Sequence, residues 1–493
     1  MSDPSSNTDK RILVQFKSET GELVGSPLDV PIEVDVKRLQ LICNAVINED
    51  DSTPYAFYLN NEEILDDLQT TITAKNVDTE SIIEIVYQPQ AVFRVKSVTR
   101  CSSTLPGHTE AVISVAYSPD GSYLASGSGD TTVRFWDINT ETPDYTCKGH
   151  KHWILSIAWS PDGEKLASGC KKGEICLWDP KTGKQIGHVL VGHKQWITYL
   201  SWEPMHKDSD CRFLASSSKA SYSYGIIEFK SDASVRVWDT VTGITKYVLS
   251  GHLQCVTCVK WGGEGLIYTS SQDRTIKVWR ASDGILCRTL QGHGHWVNTM
   301  ALNTDYAMRI GAYDPAKGEK LLVGGKKNRQ EKSLQKYNLA LKLTGKELMV
   351  SGSDDYTLFL WHPAKEKTPI ARMTGHQQLV NMVCFSPDTR LIASASFDKS
   401  VKLWDGITGR FITSLRGHVK SVYQVSWSAD SRLFLSSSAD STLKVWDVKS
   451  KKLHMDLPGH ADEVYAIDWS PDGEKVASGG KDRVLKLYAY RFL

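Results

Sequence analysis

Histidine, serine and aspartate recur along this chain at a spacing that suits nucleophilic catalysis. The first set comprises His108, Ser126 and Asp130, and the Gly-His dipeptide that begins it occurs eight times in comparable context. A serine hydrolase aligns these three residue types in one hydrogen-bonded triad. An enzyme needs one active site, however, so eight copies favour a structural role over a catalytic one.

Two adjacent glutamates offer a different chemistry in the N-terminal part of the chain, which does not repeat. Glu62 and Glu63 precede an isolated Ile64 within the stretch YLNNEEILDDL, residues 58–68. From the residues alone, a solvated acidic turn is the simpler interpretation.

The overall charge excludes a global attraction to nucleic acid or membranes. The chain has 493 residues, with 58 lysines and arginines against 57 aspartates and glutamates, so any such contact must be a local patch. The sequence lacks a secretory signal and an apolar run long enough to span a bilayer. We therefore expect no membrane partner, and the ten scattered cysteines are typical of a reducing cytosol or nucleus.

Sequence motifs for a resident metal or nucleotide are absent. Cys255 and Cys258 have no second CxxC pair to complete a zinc site. Neither a phosphate-binding GxxxxGK[ST] loop nor an HExxH motif occurs. We therefore predict that the chain is not an enzyme and has no cofactor of its own.

The repeats predict the architecture. His108 and Trp136 are 28 positions apart, and the same interval recurs from His150, His376 and His418. Short β-rich runs and turns fill each interval, and two repeats are stretched by insertions. Without these insertions the period is about 41 residues, that of a four-stranded propeller blade. The repeats start near residues 105, 147, 190, 249, 290, 373, 415 and 457.

These motifs resemble the WD-repeat family and predict a mainly β fold with an eight-bladed propeller over residues 91–493. Residues 91–104 precede the first Gly-His and can supply the closing strand of the last blade. The insertion at 220–231 is either a real loop or an error in the gene model. The resemblance implies that a buried network ties each blade together, formed by His108, Ser126, Asp130, Trp136, His376, Asp398, Trp404, His418, Asp440 and Trp446.

The N-terminal part of the chain predicts a small α+β domain. After a disordered segment at 1–10, residues 11–90 have the order strand, strand, helix, strand, strand, which is that of a ubiquitin-like β-grasp domain. Leu39, Ile42, Cys43 and Val46 share one face of the predicted helix and can cover the sheet. A terminal Gly-Gly is missing, which argues against a conjugated modifier.

Two surfaces are candidates for partner binding. Large aromatic residues are favoured interface anchors, and five of them stand at the predicted propeller rim: Trp153, Trp196, Trp296, Tyr423 and Tyr465. The alternative is that these side chains pack against neighbouring loops. The insertion of the fifth repeat is basic and could contact RNA phosphates or form a flexible solvated loop. Its candidate residues are Lys326, Lys327, Arg329 and Lys332.

The whole chain resembles the Notchless family in stretches such as LQLICNAV, IVYQPQAVFRV, CKGHKHWILSIAWSPDG and LPGHADEVYAIDWSPDG. The resemblance implies a non-enzymatic assembly factor of the large ribosomal subunit in the nucleus, nucleolus and nucleoplasm. Its propeller docks on ribosomal RNA and proteins of the precursor, as a monomer within a large particle. A signalling scaffold that regulates Notch and a ubiquitin-ligase adaptor are the alternatives.

The resemblance also implies a role for the acidic stretch. In the family, the N-terminal domain binds the metal-dependent adhesion (MIDAS) domain of midasin, an AAA ATPase, and so couples ATP-driven remodelling to factor release. A carboxylate of this domain completes the coordination of the Mg²⁺ that the partner supplies. The matching residue here is Glu63, with Glu62 as the alternative.

Overall fold

A computed structural model describes residues 11–18, 21–47, 55–59, 62–64, 67–75, 79, 81–89, 95, 97–219, 233–315 and 325–489. The chain divides into two compact units, Met1–Arg94 and Val95–Leu493. The predicted disorder of residues 1–10 and the 220–231 insertion lie outside the described residues, as do residues 91–94 of the predicted closing segment. None of the helices in the described ranges is both long and apolar enough to cross a membrane.

The N-terminal unit is a five-stranded sheet covered by helices, in the β-grasp arrangement that the sequence predicts. The strand order is β2-β1-β5-β3-β4, and only β1 and β5 pair in parallel among these described strands. Its elements are β1 (Arg11–Lys17), β2 (Leu23–Pro31), α1 (Val36–Ile47), β3 (Tyr55–Leu59), β4 (Glu62–Glu63), α2 (Leu68–Lys75) and β5 (Ile83–Pro89).

Periodicity accounts for the core of this unit. Ile12, Val14 and Phe16 alternate along β1 and are buried, as expected where one face of a strand meets the core. Leu39 and Cys43 of α1 pack in the same cluster because residues four apart share a helix face. The second strand runs over Leu23–Pro31, and sequence reasoning missed β4 and α2.

The second unit consists of eight sheets in the described part of the chain, an eight-bladed propeller. First strands of neighbouring sheets contact one another and therefore lie innermost. Blades 1 to 4 contain β7 (Val112–Tyr117), β8 (Tyr123–Ser128), β9 (Thr132–Asp137), β10 (Thr142–Lys148); β11 (Ile154–Trp159), β12 (Leu166–Cys170), β13 (Ile175–Trp178); β14 (Ile197–Trp202), β15 (Phe213–Ser218), β16 (Ser234–Asp239), β17 (Ile244–Ser250); and β18 (Val256–Trp261), β19 (Leu266–Ser271), β20 (Thr275–Arg280), β21 (Leu286–Gln291).

Blades 5 to 8 follow the same plan. They contain β22 (Val297–Leu302), β23 (Met349–Ser353), β24 (Leu358–Trp361), β25 (Ala371–Met373); β26 (Val380–Phe385), β27 (Leu391–Ser396), β28 (Ser400–Asp405), β29 (Phe411–Arg416); β30 (Val422–Trp427), β31 (Leu433–Ser438), β32 (Leu443–Asp447), β33 (Lys452–Leu457); and β34 (Val464–Trp469), β35 (Lys475–Gly480), β36 (Leu485–Ala489). Between β22 and β23 the chain forms α3 (Asp305–Ile310) and α4 (Lys326–Lys342).

The outer strand of blade 8 comes from before the first repeat. This strand, β6 (Arg100–Leu105), pairs antiparallel with β36 and places Leu105 opposite Leu485. On the inner side, β34 of blade 8 contacts β7 of blade 1. The two ends of the repeat array therefore meet in one blade, which leaves no open edge at the joint.

Candidate partner-binding surfaces

The predicted blade networks form, and their order of hydrogen bonds is that of a catalytic triad. In blade 1, His108 Nδ1 is 2.8 Å from Asp130 and its Nε2 is 2.8 Å from the hydroxyl of Ser126. Trp136 Nε1 donates to the same hydroxyl at 2.8 Å. Blades 6 and 7 repeat the arrangement with His376, Ser394, Asp398, Trp404, His418, Ser436, Asp440 and Trp446.

Burial separates these networks from an active site. Ser126 is 0% exposed, so no substrate reaches its oxygen. Burial alone would raise the pKa of Asp130, but hydrogen bonds from His108 and Thr132 outweigh burial and lower it. The network satisfies polar groups inside the sheet, as buried polar groups require, and the geometry supports a structural role.

Blade 2 departs from this pattern at its turn. Lys172 follows His150 by the same 22 positions that separate His108 from Asp130, so a lysine stands where blade 1 has its turn aspartate. Its Nε2 still contacts Ser168 at 2.6 Å, whereas Nδ1 is 3.8 Å from the sulfur of Cys176, a weak partner. Burial lowers the pKa of His150 to about 4, so this imidazole is neutral at physiological pH.

Two of the three predicted rim tryptophans come together. Trp153 and Trp296 are 46% and 41% exposed, and Trp196 is half-buried. Lys171 Nζ lies 5.1 Å from the ring centre of Trp153 and 4.4 Å from that of Trp196, which joins blades 2 and 3. Trp296 packs instead beside His295 of its own turn, with ring centres 5.2 Å apart.

The predicted tyrosines form a separate pair. The rings of Tyr423 and Tyr465 are 5.7 Å apart, and the hydroxyl of Tyr423 donates to Glu463 at 3.1 Å. Burial and this hydrogen bond raise the pKa of Tyr423 to about 12. Both rings are half-buried, so the pair presents less aromatic surface than Trp153.

The basic insertion is a packed helix over residues 326–342, and the flexible-loop alternative is wrong for this segment. Lys326 pairs with Asp210 at 2.7 Å, and Arg329 lies 3.5 Å from Glu164 with its side chain 11% exposed. Tyr337 is buried and stacks on His206, with ring centres 4.4 Å apart. Lys327 is exposed and Lys332 is half-buried, so intrachain pairing reduces the cationic surface that the sequence suggests.

The acidic stretch lies at a sheet edge of the N-terminal unit. Glu62 and Glu63 form β4, which pairs with Leu59 and Tyr58 of β3 and is the last strand in the sheet order. Ile64 is 2% exposed, and its backbone N–H donates to the carbonyl of Phe57 at 2.8 Å. The isolated apolar residue thus anchors the acidic segment. Within the described ranges, no cluster of three or more His, Cys, Asp or Glu residues could hold a metal ion.

Comparisons with known proteins agree with this architecture. Residues 12–72 match the NLE (NUC135) domain family. The WD domain, G-beta repeat family matches residues 99–137, 141–179, 243–280, 367–405, 409–447 and 451–489. The two repeats outside these matches are those that contain the insertions.

A crystal structure of the computationally designed Ika8 protein superposes with a TM-score of 0.61 at 24% identity and covers 79% of this chain and 100% of its own. That similarity concerns the fold alone. Drosophila melanogaster Protein Notchless is 54% identical over 78% of this chain and 76% of its own length. The Arabidopsis thaliana Notchless protein homolog is 53% identical over 83% and 82%.

Ribosome assembly protein 4 of Saccharomyces cerevisiae is 47% identical over 82% of this chain and 79% of its own length. These identities extend over most of each chain, and the NLE domain and WD repeats occur in the order that the structure shows. The chain therefore belongs to the Notchless family.

Proposed function

We propose that this chain is a non-enzymatic assembly factor of the large ribosomal subunit. The observation that carries the proposal is its 47% identity to a protein named Ribosome assembly protein 4, over 79% of that protein. The propeller docks on the ribosome precursor, and the N-terminal unit binds the MIDAS domain of midasin. This role places the chain in the nucleolus and nucleoplasm, as a monomer within a large particle.

Glu63 is the proposed contact to the partner's Mg²⁺, with Glu62 as the alternative. Mg²⁺ takes oxygen ligands, and a partner carboxylate can fill a position that its own site leaves open. The edge position of β4 supports this role, because an edge strand is reachable from outside the sheet. The buried Ile64 next to it holds the segment in register, which favours a defined geometry over a solvated turn.

The test is titration of the full chain with the isolated MIDAS domain, with Mg²⁺ and with EDTA. We expect Glu63→Ala to weaken Mg²⁺-dependent binding by at least tenfold, because the carboxylate that would coordinate the partner's Mg²⁺ is lost. Glu62→Ala tests the alternative, and Glu33→Ala, an exposed carboxylate of the same unit, is the control. If both Glu62→Ala and Glu63→Ala bind like the unaltered chain, the assignment of the acidic stretch is wrong.

In cells, the same Glu63→Ala variant should cause large-subunit precursors to accumulate in the nucleus. A scaffold role in Notch regulation is the second candidate, because one relative carries the name Protein Notchless. That role predicts normal subunit export and altered Notch signalling in the variant. A ubiquitin-ligase adaptor predicts that ligase subunits, in place of ribosomal proteins, copurify with the tagged chain.

A further inference from the structure

We propose that the rim of blades 2 and 3 carries an RNA-binding surface, formed by Trp153, Lys171, Lys172, Trp196 and Lys219 and here named the Trp-Lys patch. This inference rests on the proposed function only for the source of the RNA, which is the ribosome precursor. The contact with RNA itself is testable on the purified chain.

The patch is built by lysines that lie against tryptophan rings. Lys171 bridges Trp153 and Trp196, and Lys219 Nζ lies 4.1 Å from the ring centre of Trp196. An ammonium group over an indole face is attracted by the negative face of the ring. These contacts restrict the motion of the lysine ammonium groups and so reduce the conformational entropy that is lost when they bind an anion.

The patch extends toward blade 1. The Trp153 ring comes within 3.5 Å of the position that a β-carbon on Gly129 would occupy. With 46% of its surface exposed, Trp153 still offers a flat apolar face at the rim.

Part of the positive charge of the patch lies at the position where blade 2 lacks the structural aspartate of other blades. The residue 22 positions after the Gly-His histidine is Asp130, Asp398, Asp440 or Asp482 in blades 1, 6, 7 and 8, and each accepts a hydrogen bond from its histidine. In blade 2 that residue is Lys172, next to Lys171. The substitution removes a buried hydrogen bond and adds positive charge at the surface, a local loss of the kind expected at functional sites.

The surrounding charges are mostly of the same sign. Glu174 pairs with Lys172 at 3.0 Å, and Glu110 follows the Gly-His of blade 1. Against these two carboxylates, Lys151 and Lys194 are exposed after the Gly-His histidines of blades 2 and 3. The patch therefore has a positive excess on a chain whose formal net charge is only +1.

Single-stranded RNA is the partner that uses both features. Bases stack on aromatic faces with little sequence preference, and lysines neutralise phosphates with release of counterions. A peptide anchor usually fills a desolvated pocket, whereas here ammonium groups lie over the indole faces.

The test measures anisotropy of a fluorescein-labelled single-stranded RNA of about 12 nucleotides with the full chain, at several salt concentrations. We expect Lys171→Glu/Lys172→Glu to weaken binding at least tenfold and to reduce the slope of log K against log salt by about 1.5. Trp153→Ala should weaken binding by roughly 5- to 100-fold through lost stacking. Lys481→Glu/Arg483→Glu, in the corresponding turn of blade 8, is the matched control and should stay within twofold.

A second variant separates binding from folding. Lys172→Asp/Glu174→Thr rebuilds the turn of blade 1, so it should keep or raise the melting temperature while RNA affinity falls. The inference is overturned if the patch variants bind RNA like the control, or if labelled polyglutamate binds as tightly as RNA. The midasin titration does not involve these residues, so its failure and failure of RNA binding can be told apart.

Discussion

At the scale of single residues, burial of the serine oxygen distinguishes the blade networks from catalytic triads, whose order of hydrogen bonds they share. Ser394 accepts the indole N–H of Trp404 at 2.9 Å and contacts His376 Nε2 at 2.8 Å, inside the sheet. The same hydrogen-bond order in an enzyme leaves the serine oxygen open to substrate. Here it joins two strands and the turn that precedes the blade.

Removal of this serine oxygen should therefore lower stability and create no other defect. In Ser394→Ala, the N–H of Trp404 and one nitrogen of His376 lose their partner, at a cost of about 1–3 kcal/mol for each buried group left unsatisfied. Urea denaturation measures the loss. Thr413→Ala, on the partly exposed outer strand of the same blade, serves as the control, and equal losses in both variants would contradict the network's role.

A buried glutamate makes stability depend on pH. Glu347 is 0% exposed and accepts hydrogen bonds from Thr304 at 2.8 Å and from the backbone N–H of Gly263 at 3.1 Å. Burial raises the pKa of Glu347 to about 7, although these hydrogen bonds oppose the shift. A raised folded-state pKa stabilises the fold below about pH 4.5 and loses this effect as pH rises through 7.

We therefore expect Glu347→Gln to flatten the stability profile. The unaltered chain should lose up to about 3 kcal/mol from this group between pH 5 and pH 8, whereas an amide stays neutral over the range. Denaturation at both pH values measures the difference. Glu331→Gln, an exposed carboxylate of α4, should leave the profile unchanged; a Glu347→Gln profile as steep as the original would refute the prediction.

At the scale of elements, α3 and α4 tie blade 5 to distant blades. Arg309 of α3 forms a bidentate ion pair with Asp468 of blade 8, and Lys260 of blade 4 pairs with Asp305 at 2.9 Å. Gln330 of α4 donates to the backbone carbonyl of His206 at 3.1 Å. The insertion thus works as a structural brace across several blades.

Docking of α4 depends on a close approach to a glycine. A β-carbon on Gly263 would come within 2.0 Å of the Tyr337 ring, so Gly263→Ala should displace Tyr337 from its stack on His206. Hydrogen exchange of the amides of residues 326–342 should rise at least tenfold. Gly325→Ala, where a β-carbon meets open space, is the control, and unchanged protection in Gly263→Ala would contradict this packing.

At the scale of the whole molecule, repetition made most of the fold predictable. Four blades contain the same 28-residue histidine-to-tryptophan interval, so one interpretation is tested several times within the chain. The packing of α4 was not predictable, because the partners of Lys326 and Arg329, Asp210 and Glu164, lie more than 100 residues away and carry no local signal. For the Trp-Lys patch, the sequence shows that CKKGEI lacks the aspartate found at this turn in other blades. Only the structure shows that Lys171 of this turn lies against tryptophans of both blade 2 and blade 3.

Closure of the ring depends on a few contacts between the ends of the repeat array. Leu105 of β6 is 5% exposed and packs in a cluster with Val112 and Tyr117 of blade 1 and Leu485 and Leu487 of blade 8. This cluster joins the first and last blades. Its loss should therefore affect the ring as a whole more than one strand.

We expect Leu105→Ala to destabilise the propeller by about 2–4 kcal/mol, the usual cost of a large-to-small change in a core. Because the ring opens at its joint, limited proteolysis should cut first between β6 and β7 or within blade 8. Thr104→Ala, the exposed neighbour on the same strand, removes a side chain outside this core and should cost less than 1 kcal/mol. A similar loss in both variants, or first cleavage in the middle of the array, would show that β6 does not hold the ring closed.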